Sequence, residues 1–365
     1  IFNGIAGIYN YKDFWLSLSD PTLIKNEHQV INGFKELTNV KIRRFDNFYD
    51  TGNSKSYKAI KQRFSRDVVL PKPSEVIYID NSKVVKYFAD TEKVTGRILR
   101  AKALEGFVPD VTQMNKNFYC YEFVKGIMLS DVHCNKRIDQ FFQFLQGKFY
   151  LKRFPYTKEF EQDCIQMYLN KTMTRSLFYE GHFIDQIETI NGIKVSPIKK
   201  IIETVNWKEI VSNAIPANIH GDLQPENILV NGDFTLIDWR ESFGQNKNSG
   251  DIYYDLSKLY HAILINGTYI LNGNFDFNIG DNEVFLNYSI KSNLFEMLEK
   301  FEKFCKENDY DWNHVRLLGA IHYINIAPFY GDYEGGKYSK FIFLLGKFLL
   351  TKHINFIKEQ EKCGT

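Results

Sequence analysis

The spacing of apolar residues changes character along the chain and marks three stretches. Residues 1 to about 65 mix a strand-like run, FNGIAGIYNY (2–11), with two runs of helical period, KDFWLSL (12–18) and EHQVINGFKEL (27–37). YDTGNSKSYKAI (49–60) then reads as a turn carrying Asp50, Gly52 and Asn53 that leads into another helix. From about 66 the pattern becomes short β-type runs, DVVL, EVIYID and KVVKYF, punctuated by PKPS and DNS. TEKVTGRILRAKALEG (91–106) follows as one helix with Gly106 as its stop, and FVPDVTQMNKNFYCYEFV (107–124) as a strand pair. After Gly126 the period is mostly helical, through QFFQFLQGKF, EFEQDCIQMYL and SPIKKIIETV. A hairpin interrupts at NILVNGDFTLIDW, where Asn231-Gly232 signals a two-residue turn, and helices resume from YYDLSKLYHAIL to the end. The pattern predicts an α+β chain: a small unit at 1–65, a strand-rich lobe at 66–126 and a helical lobe at 127–365.

Composition adds limits. The chain has 365 residues, of which 44% are hydrophobic and 25% charged, enough for a full core. A formal charge of +2 gives no reason to expect nucleic acid as a partner. The five cysteines contain no CxxC pair and sit near no histidine cluster, which suits reduced thiols in a cytoplasm rather than a disulfide framework or a zinc site. No apolar run reaches the roughly 18 residues of a membrane span. The most apolar stretch, FIFLLGKFLL (341–350), contains Lys347 and reads as a buried helix. The chain starts at Ile1 without Met, so it is expected to be a fragment of something longer.

Chemistry concentrates in HGDLQPENIL (220–229) and LIDWR (236–240). Phosphoryl transfer needs an acceptor hydroxyl aimed in line and metal ions neutralising charge between the β- and γ-phosphates. Asp222 is placed to orient such a hydroxyl and take its proton. Asn227, five residues on, can offer its side-chain oxygen to Mg²⁺, and Asp238 after the hairpin can supply a charged second ligand. Taken alone, the same residues also describe an Asx-rich turn joined to a hairpin.

HGDLQPENIL resembles the catalytic loop H-R-D-L-x-x-x-N of protein kinases, with the same spacing from Asp to Asn. Gly221 stands where those enzymes have Arg, and IDW where they have DFG. Both departures resemble the aminoglycoside phosphotransferase and choline kinase family, which phosphorylates small molecules, and the likeness runs from about 66 to 350. It implies a two-lobed, protein-kinase-like fold, ATP and Mg²⁺ as cofactors, and a small-molecule hydroxyl acceptor. By that resemblance Lys86 in KVVKYF would grip the α/β-phosphates, with Lys83 as its competitor. YCYEFVKG (119–126) would be the inter-lobe hinge, with Glu122 and Phe123 presenting backbone groups to adenine. Asp251 and Asp255 in GDIYYDLSKL would cap a helix and brace the catalytic loop, and His220 would hold backbone. No G-x-G-x-x-G precedes Lys86; Ser74 in PKPS stands where a phosphate-covering turn belongs. Glu92 and Glu105 are the helix carboxylates available to pair with Lys86, neither well placed, so a catalytically silent nucleotide-binding or scaffold module remains the alternative. A protein kinase is disfavoured by Gly221 and by the lack of an A-P-E sequence after IDW. Arg240 can contact an anionic acceptor or make a surface ion pair. Tyr323 and Tyr330 can wall an acceptor pocket or pack in the core.

The first unit, through FYDTGN (48–53), resembles the end of a sugar-phosphate nucleotidyltransferase, whose nucleotide loop and metal site would lie earlier than Ile1. That resemblance implies a fused or associated nucleotidyltransferase domain and a role in surface polysaccharide precursor synthesis. The alternative is an N-terminal extension of the kinase-like lobe.

Overall fold

The computed structural model describes residues 11–18, 33–34, 37, 74–79, 82–331 and 333–363. The chain divides into two compact units, Ile1–Phe64 and Ser65–Thr365. In the first, α1 (Tyr11–Leu18) forms over the KDFWLSL run and buries Phe14, whose ring meets Phe34 edge-on at 5.3 Å. Gly33 allows that approach, because a Cβ there would fall 2.3 Å from the Phe14 ring. The strand expected at 2–11, the YDTGNSKSYKAI turn and DVVL lie outside the described residues, α1's first residue apart.

The second unit begins with a four-stranded antiparallel sheet. β1 (Glu75–Ile79), β2 (Lys83–Phe88), β3 (Thr112–Asn115) and β4 (Phe118–Glu122) lie in the order β1-β2-β4-β3. Alternation in KVVKYF points Val84, Lys86 and Phe88 to the buried face, where Tyr119, Tyr121 and Val94 complete a small core. α2 (Thr91–Ala103) covers that face. Asp90 caps its start by accepting the Glu92 N–H at 2.9 Å, and Leu104 closes it just ahead of Gly106, which takes a φ of +84°.

Past residues 123–126 the chain enters the helical lobe. α3 (Asn135–Gly147), α4 (Lys158–Ile165) and α5 (Lys171–Ser176) come first, the last two separated by a π-type segment, Gln166–Asn170. α6 (Ile252–Leu264) is buried along its whole length, flanked by α7 (Ser292–Glu307) and α8 (Trp312–Ile326). α9 (Lys337–Cys363) packs along α8 and contains FIFLLGKFLL as the expected buried helix. Lys347 within it is wholly buried: its ammonium donates to the Asp185 carbonyl at 2.6 Å and lies 3.5 Å from the Asp185 carboxylate. No helix among the described residues is long and apolar enough to cross a membrane.

β5 (Ile127–Met128), β6 (Ile228–Val230) and β7 (Phe234–Leu236) form a small sheet in the order β7-β6-β5. The register pairs Phe234 with Val230, so three residues, Asn231 to Asp233, make the turn, rather than the two expected from Asn231-Gly232. Gly232 takes a φ of +105°, and the Asn231 N–H donates to the Asp233 carbonyl at 3.2 Å. The arrangement is α+β and two-lobed, as the hydrophobic pattern predicted.

Candidate active site

The loop 218–227 leaves a short strand, Pro216–Ala217, that pairs with Gly250–Asp251. Asp251 then caps α6 by accepting the Tyr253 N–H at 3.1 Å, and it also takes the Ile215 N–H at 2.8 Å and the Tyr168 hydroxyl at 2.5 Å. One turn into α6, the buried Asp255 carboxylate accepts the N–H groups of His220 at 2.7 Å and Gly221 at 2.6 Å. Burial pushes the Asp255 carboxyl up to about 7, against the lowering effect of those two amides. The expected bracing by Asp251 and Asp255 is therefore geometrically specific: one carboxylate fixes the loop's entry, the other its turn.

His220 is wholly buried. Its Nε2 lies 2.8 Å from the Ile237 carbonyl, and its Nδ1 lies 3.3 Å from the Asp222 N–H. Burial lowers its pKa to about 4, so the ring is neutral at pH 7 and ties the loop to the residue that follows β7. The Arg240 N–H to His220 carbonyl bond (2.9 Å) and the Ile237 N–H to Asn227 carbonyl bond (2.8 Å) complete the stitching. Gly221 sits at φ +81°, and a Cβ there would fall 2.6 Å from the Arg240 Cβ. The Gly that replaces the protein-kinase Arg is thus demanded both by backbone conformation and by space.

Asp222 keeps about a third of its side chain exposed (32%) and meets the Lys258 ammonium at 2.8 Å and the Gln224 amide at 2.9 Å. The Asn227 amide nitrogen donates to the Asp222 carbonyl at 2.9 Å, which commits its donor end to the loop and leaves its oxygen as the acceptor end. Asp238 adopts a left-handed φ of +63°, unusual for a non-glycine residue, and its carboxylate forms an ion pair with Lys86. Lys86 is 2% exposed, whereas Lys83 points outward and pairs across the sheet with Glu122 at 3.7 Å. Lys86, Asp238, Asn227 and Asp222 are thereby linked through adjoining segments of backbone.

The helix partner expected for Lys86 is not a carboxylate of α2. Glu92 and Glu105 are both exposed, and the ion pair shown by Lys86 is with Asp238. α2 instead presents cations. Arg97 donates to the Trp239 carbonyl and lies 3.6 Å from the Glu241 carboxylate, while the Trp239 indole N–H donates back to the Arg97 carbonyl at 2.8 Å. Arg100, buried, donates to the carbonyls of Ile219 at 2.6 Å and Ser249 at 3.1 Å. Gly96 admits Glu241, since a Cβ there would fall 2.9 Å from the Glu241 Cβ. Trp239 is wholly buried and its ring lies 6.3 Å from those of Tyr119 and Tyr121. Arg97 holds the helix to IDWRE and Arg100 holds it to Ile219 and Ser249, partners that the sequence pattern did not reveal.

In the segment after β4, the Phe123 N–H donates to the Ser82 carbonyl at 2.8 Å, so its amide is engaged within the protein. The Glu122 side chain is 76% exposed and takes part only through Lys83. Ser74 is exposed, and its carbonyl accepts the Ala89 N–H at 3.0 Å; the remainder of PKPS lies outside the described residues. Tyr323 is fully buried, with its hydroxyl donating to the His261 carbonyl at 2.6 Å, so it is core and not a pocket wall. Tyr330 is half-buried against Tyr338.

Sequence reasoning missed Lys258, although its position three residues after Asp255 on one helix face was a usable signal. It also missed Lys171 and Arg175, which stand four apart on α5 close to Tyr254.

No protein-family model and no curated protein matches the sequence. Solved structures do align with it. An ADP-bound aminoglycoside phosphotransferase aligns at 15% identity over 82% of this chain and 99% of its own, with a TM-score of 0.45. A putative fructosamine-3-kinase from Thermobifida fusca aligns at 12% identity over 82% and 100%, with a TM-score of 0.42. A choline kinase from Cryptosporidium parvum Iowa II aligns at 10% identity over 86% and 97%, with a TM-score of 0.38. The geometry of this chain's own residues carries the function proposed below.

Proposed function

We propose that the chain is an ATP-dependent kinase with a two-lobed, protein-kinase-like fold that phosphorylates a hydroxyl of a small molecule. The observation that carries this reading is the linkage of Asp222, Asn227, Asp238 and Lys86. Two loops, stitched by His220, carry the one-third-exposed Asp222 carboxylate, the Asn227 amide bonded to the Asp222 carbonyl, and a second carboxylate paired with a buried strand lysine. An ordinary polar turn has no use for a buried lysine on a neighbouring lobe.

In this reading Asp222 orients the acceptor hydroxyl and takes its proton as the acceptor oxygen bonds to the γ-phosphorus. The bond from that phosphorus to the β–γ bridging oxygen breaks, and the electron pair leaves with ADP. Lys86 holds the α/β-phosphates. Glu122 and Phe123 would present backbone groups to adenine, and Ser74 would belong to the turn over the phosphates. Asn227 and Asp238 would hold Mg²⁺. Among the described residues no cluster of three or more His, Cys, Asp or Glu forms a metal cage, and a donor set of one carboxylate and one amide oxygen fits an ion that takes its other ligands from phosphate and water. Mg²⁺, when bound, neutralises charge between the β- and γ-phosphates. His220, Asp251 and Asp255 position the loop.

ATP turnover with Mg²⁺ over a panel of sugars, amino alcohols and hydroxy acids tests this, run beside Asp222→Ala. Transfer that the substitution lowers by about 10²–10⁴-fold supports the kinase. ATP binding without transfer in either protein supports a catalytically silent module, a reading favoured by the absence of a helix carboxylate for Lys86. A cytoplasmic location, where ATP is supplied, belongs to the same proposal. The first unit's resemblance to a nucleotidyltransferase supports a wider role in making activated precursors of a surface polysaccharide. Co-purification of nucleotidyltransferase activity with the protein would test that role.

A further inference from the structure

Beside Asp222, on the helical-lobe side, three cations gather with no carboxylate in contact. Lys171 and Arg175 share one face of α5, which begins where the π-type segment ends; such segments are frequent at functional sites. The Lys171 ammonium lies 3.3 Å from the Tyr254 hydroxyl, and an Arg240 guanidinium nitrogen lies 3.1 Å from the same oxygen. Arg175 donates to the Asn325 carbonyl at 2.9 Å and stacks over Phe329 at 4.6 Å. Lys258, one turn beyond Tyr254, is the fourth cation, and it is engaged by Asp222. Glu241 is the other acid near Arg240, and its carboxylate is in ion-pair contact with Arg97. Among the described residues no ion pair includes Lys171, Arg175 or Arg240, and the Arg240 Nε is buried without a hydrogen-bond partner. Burial, and then repulsion from Arg240, Arg175 and Lys258, holds the Lys171 ammonium well below its usual pKa.

Lys171, Arg175, Arg240, Lys258 and Arg97 are met by two carboxylates, Asp222 and Glu241, which leaves a local surplus of basic groups. Like charges drawn together in a partly desolvated site are costly unless an anion completes them. Lys171, Arg175 and Arg240 each keep partial solvent access, so the cluster can be reached by a ligand. Lys171 and Arg175 belong to the helical lobe, whereas the lysine assigned to the nucleotide lies on β2. A quaternary ammonium or polyamine acceptor would add positive charge to this surplus. We propose that the phosphate acceptor is itself anionic, bearing a carboxylate or phosphate besides its hydroxyl, and that Lys171, Arg175 and Arg240 bind that group while Asp222 addresses the hydroxyl. The proposal rests on the kinase reading for its hydroxyl, and on the cation cluster alone for its charge.

Transfer from ATP is measured by phosphorus NMR with glycerol, D-glycerate, sn-glycerol 3-phosphate and choline. The two anionic acceptors are expected to exceed glycerol in kcat/KM by about ten-fold or more, with choline inert, because charge-assisted hydrogen bonds to the anionic group are stronger than neutral ones. Whichever anion is preferred separates carboxylate from phosphate recognition. Lys171→Gln and Arg175→Gln are expected to raise the anionic acceptor's KM by about ten-fold, with ADP affinity by calorimetry held within about two-fold. Equal or better use of glycerol or choline overturns the proposal. So does a loss of ADP affinity that matches the loss of acceptor affinity, since the cluster would then serve the nucleotide. If ATP is not turned over with any acceptor or with water, the kinase reading fails by itself. The anion site is then read by calorimetry with inorganic phosphate: binding that Lys171→Gln abolishes sustains it, and no binding to the unsubstituted protein overturns it.

Discussion

Lys258 places its ammonium 2.8 Å from the Asp222 carboxylate, and it does so from the same helix face whose Asp255 holds the N–H groups of His220 and Gly221. One helix thus fixes both the backbone of the loop and the surroundings of its partly exposed carboxylate. Residues 255 and 258 are neighbours on an α-helical surface, so a shift of α6 would move both contacts together.

Lys258→Met should lower kcat by about ten-fold or more while moving the acid limb of the pH–rate profile upward. Removing a nearby cation makes the carboxylate easier to protonate, so Asp222 would lose its ionised form at a higher pH. A profile that keeps its shape while the rate falls would mean that Lys258 supports the fold only.

Gly221→Ala should destabilise the protein by about 1–3 kcal/mol, because the residue sits at φ +81° and the new Cβ would meet Arg240. Thermal unfolding reads the loss. Activity should fall further than stability explains, since the Arg240 backbone is bonded to the same loop.

The Arg97–Glu241 contact joins α2 to the segment that carries Asp238. A double-substitution cycle with Arg97→Ala and Glu241→Ala should give a coupling of about 0.5–3 kcal/mol in the transfer step. Additive losses would show that α2 position and Asp238 are independent.

Burial holds His220 near 4, His261 near 3, His314 near 4 and His353 near 3, all below their ordinary value. The unfolded chain takes up protons on these rings that the folded chain refuses. Their stabilising contribution is therefore present above about pH 6.5 and is lost as pH falls through the folded values. Glu226, Asp251 and Asp255, raised by burial to about 7, 6 and 7, act in the opposite sense and lose their contribution as pH rises through that range. Denaturant unfolding from pH 4 to 8 should show greatest stability near pH 6, and His314→Gln should flatten the acid side. NMR of His220 should show a ring that stays neutral at pH 5.5.

Lys347→Ala leaves the Asp185 carboxylate buried without its cation and should cost about 3–5 kcal/mol by chemical denaturation. Lys347→Met combined with Asp185→Leu should recover most of that loss, because the pair would be replaced by apolar groups of similar volume.

What was legible in the sequence is the local structure built from short spacings. Asp222 to Asn227, the strand alternation that buries Lys86, and the helix period of YYDLSKLYHAIL are set by local backbone geometry, which repeats wherever the same residues recur. The helix in FIFLLGKFLL was legible for the same reason, and Lys347 did not interrupt it. The two-residue turn was misread because Asn-Gly favours a left-handed bend without fixing how many residues the strands leave unpaired.

Partners brought together by packing left no such trace. Arg97 lies 144 positions before Glu241 and Lys171 lies 83 before Tyr254; nothing in either neighbourhood encodes the other. Tyr323 showed the same limit in reverse, since helical spacing alone could not say whether its face met solvent or core. The chain's local order therefore determined the loop, the strand lysine and the helices. Only the tertiary structure decided that α2 clamps with arginines, that Lys258 guards Asp222, and that the helical-lobe side of the site is positively charged. The physical reason is that charge pairing and burial depend on distance in space, and in this chain those distances are closed by elements far apart in sequence.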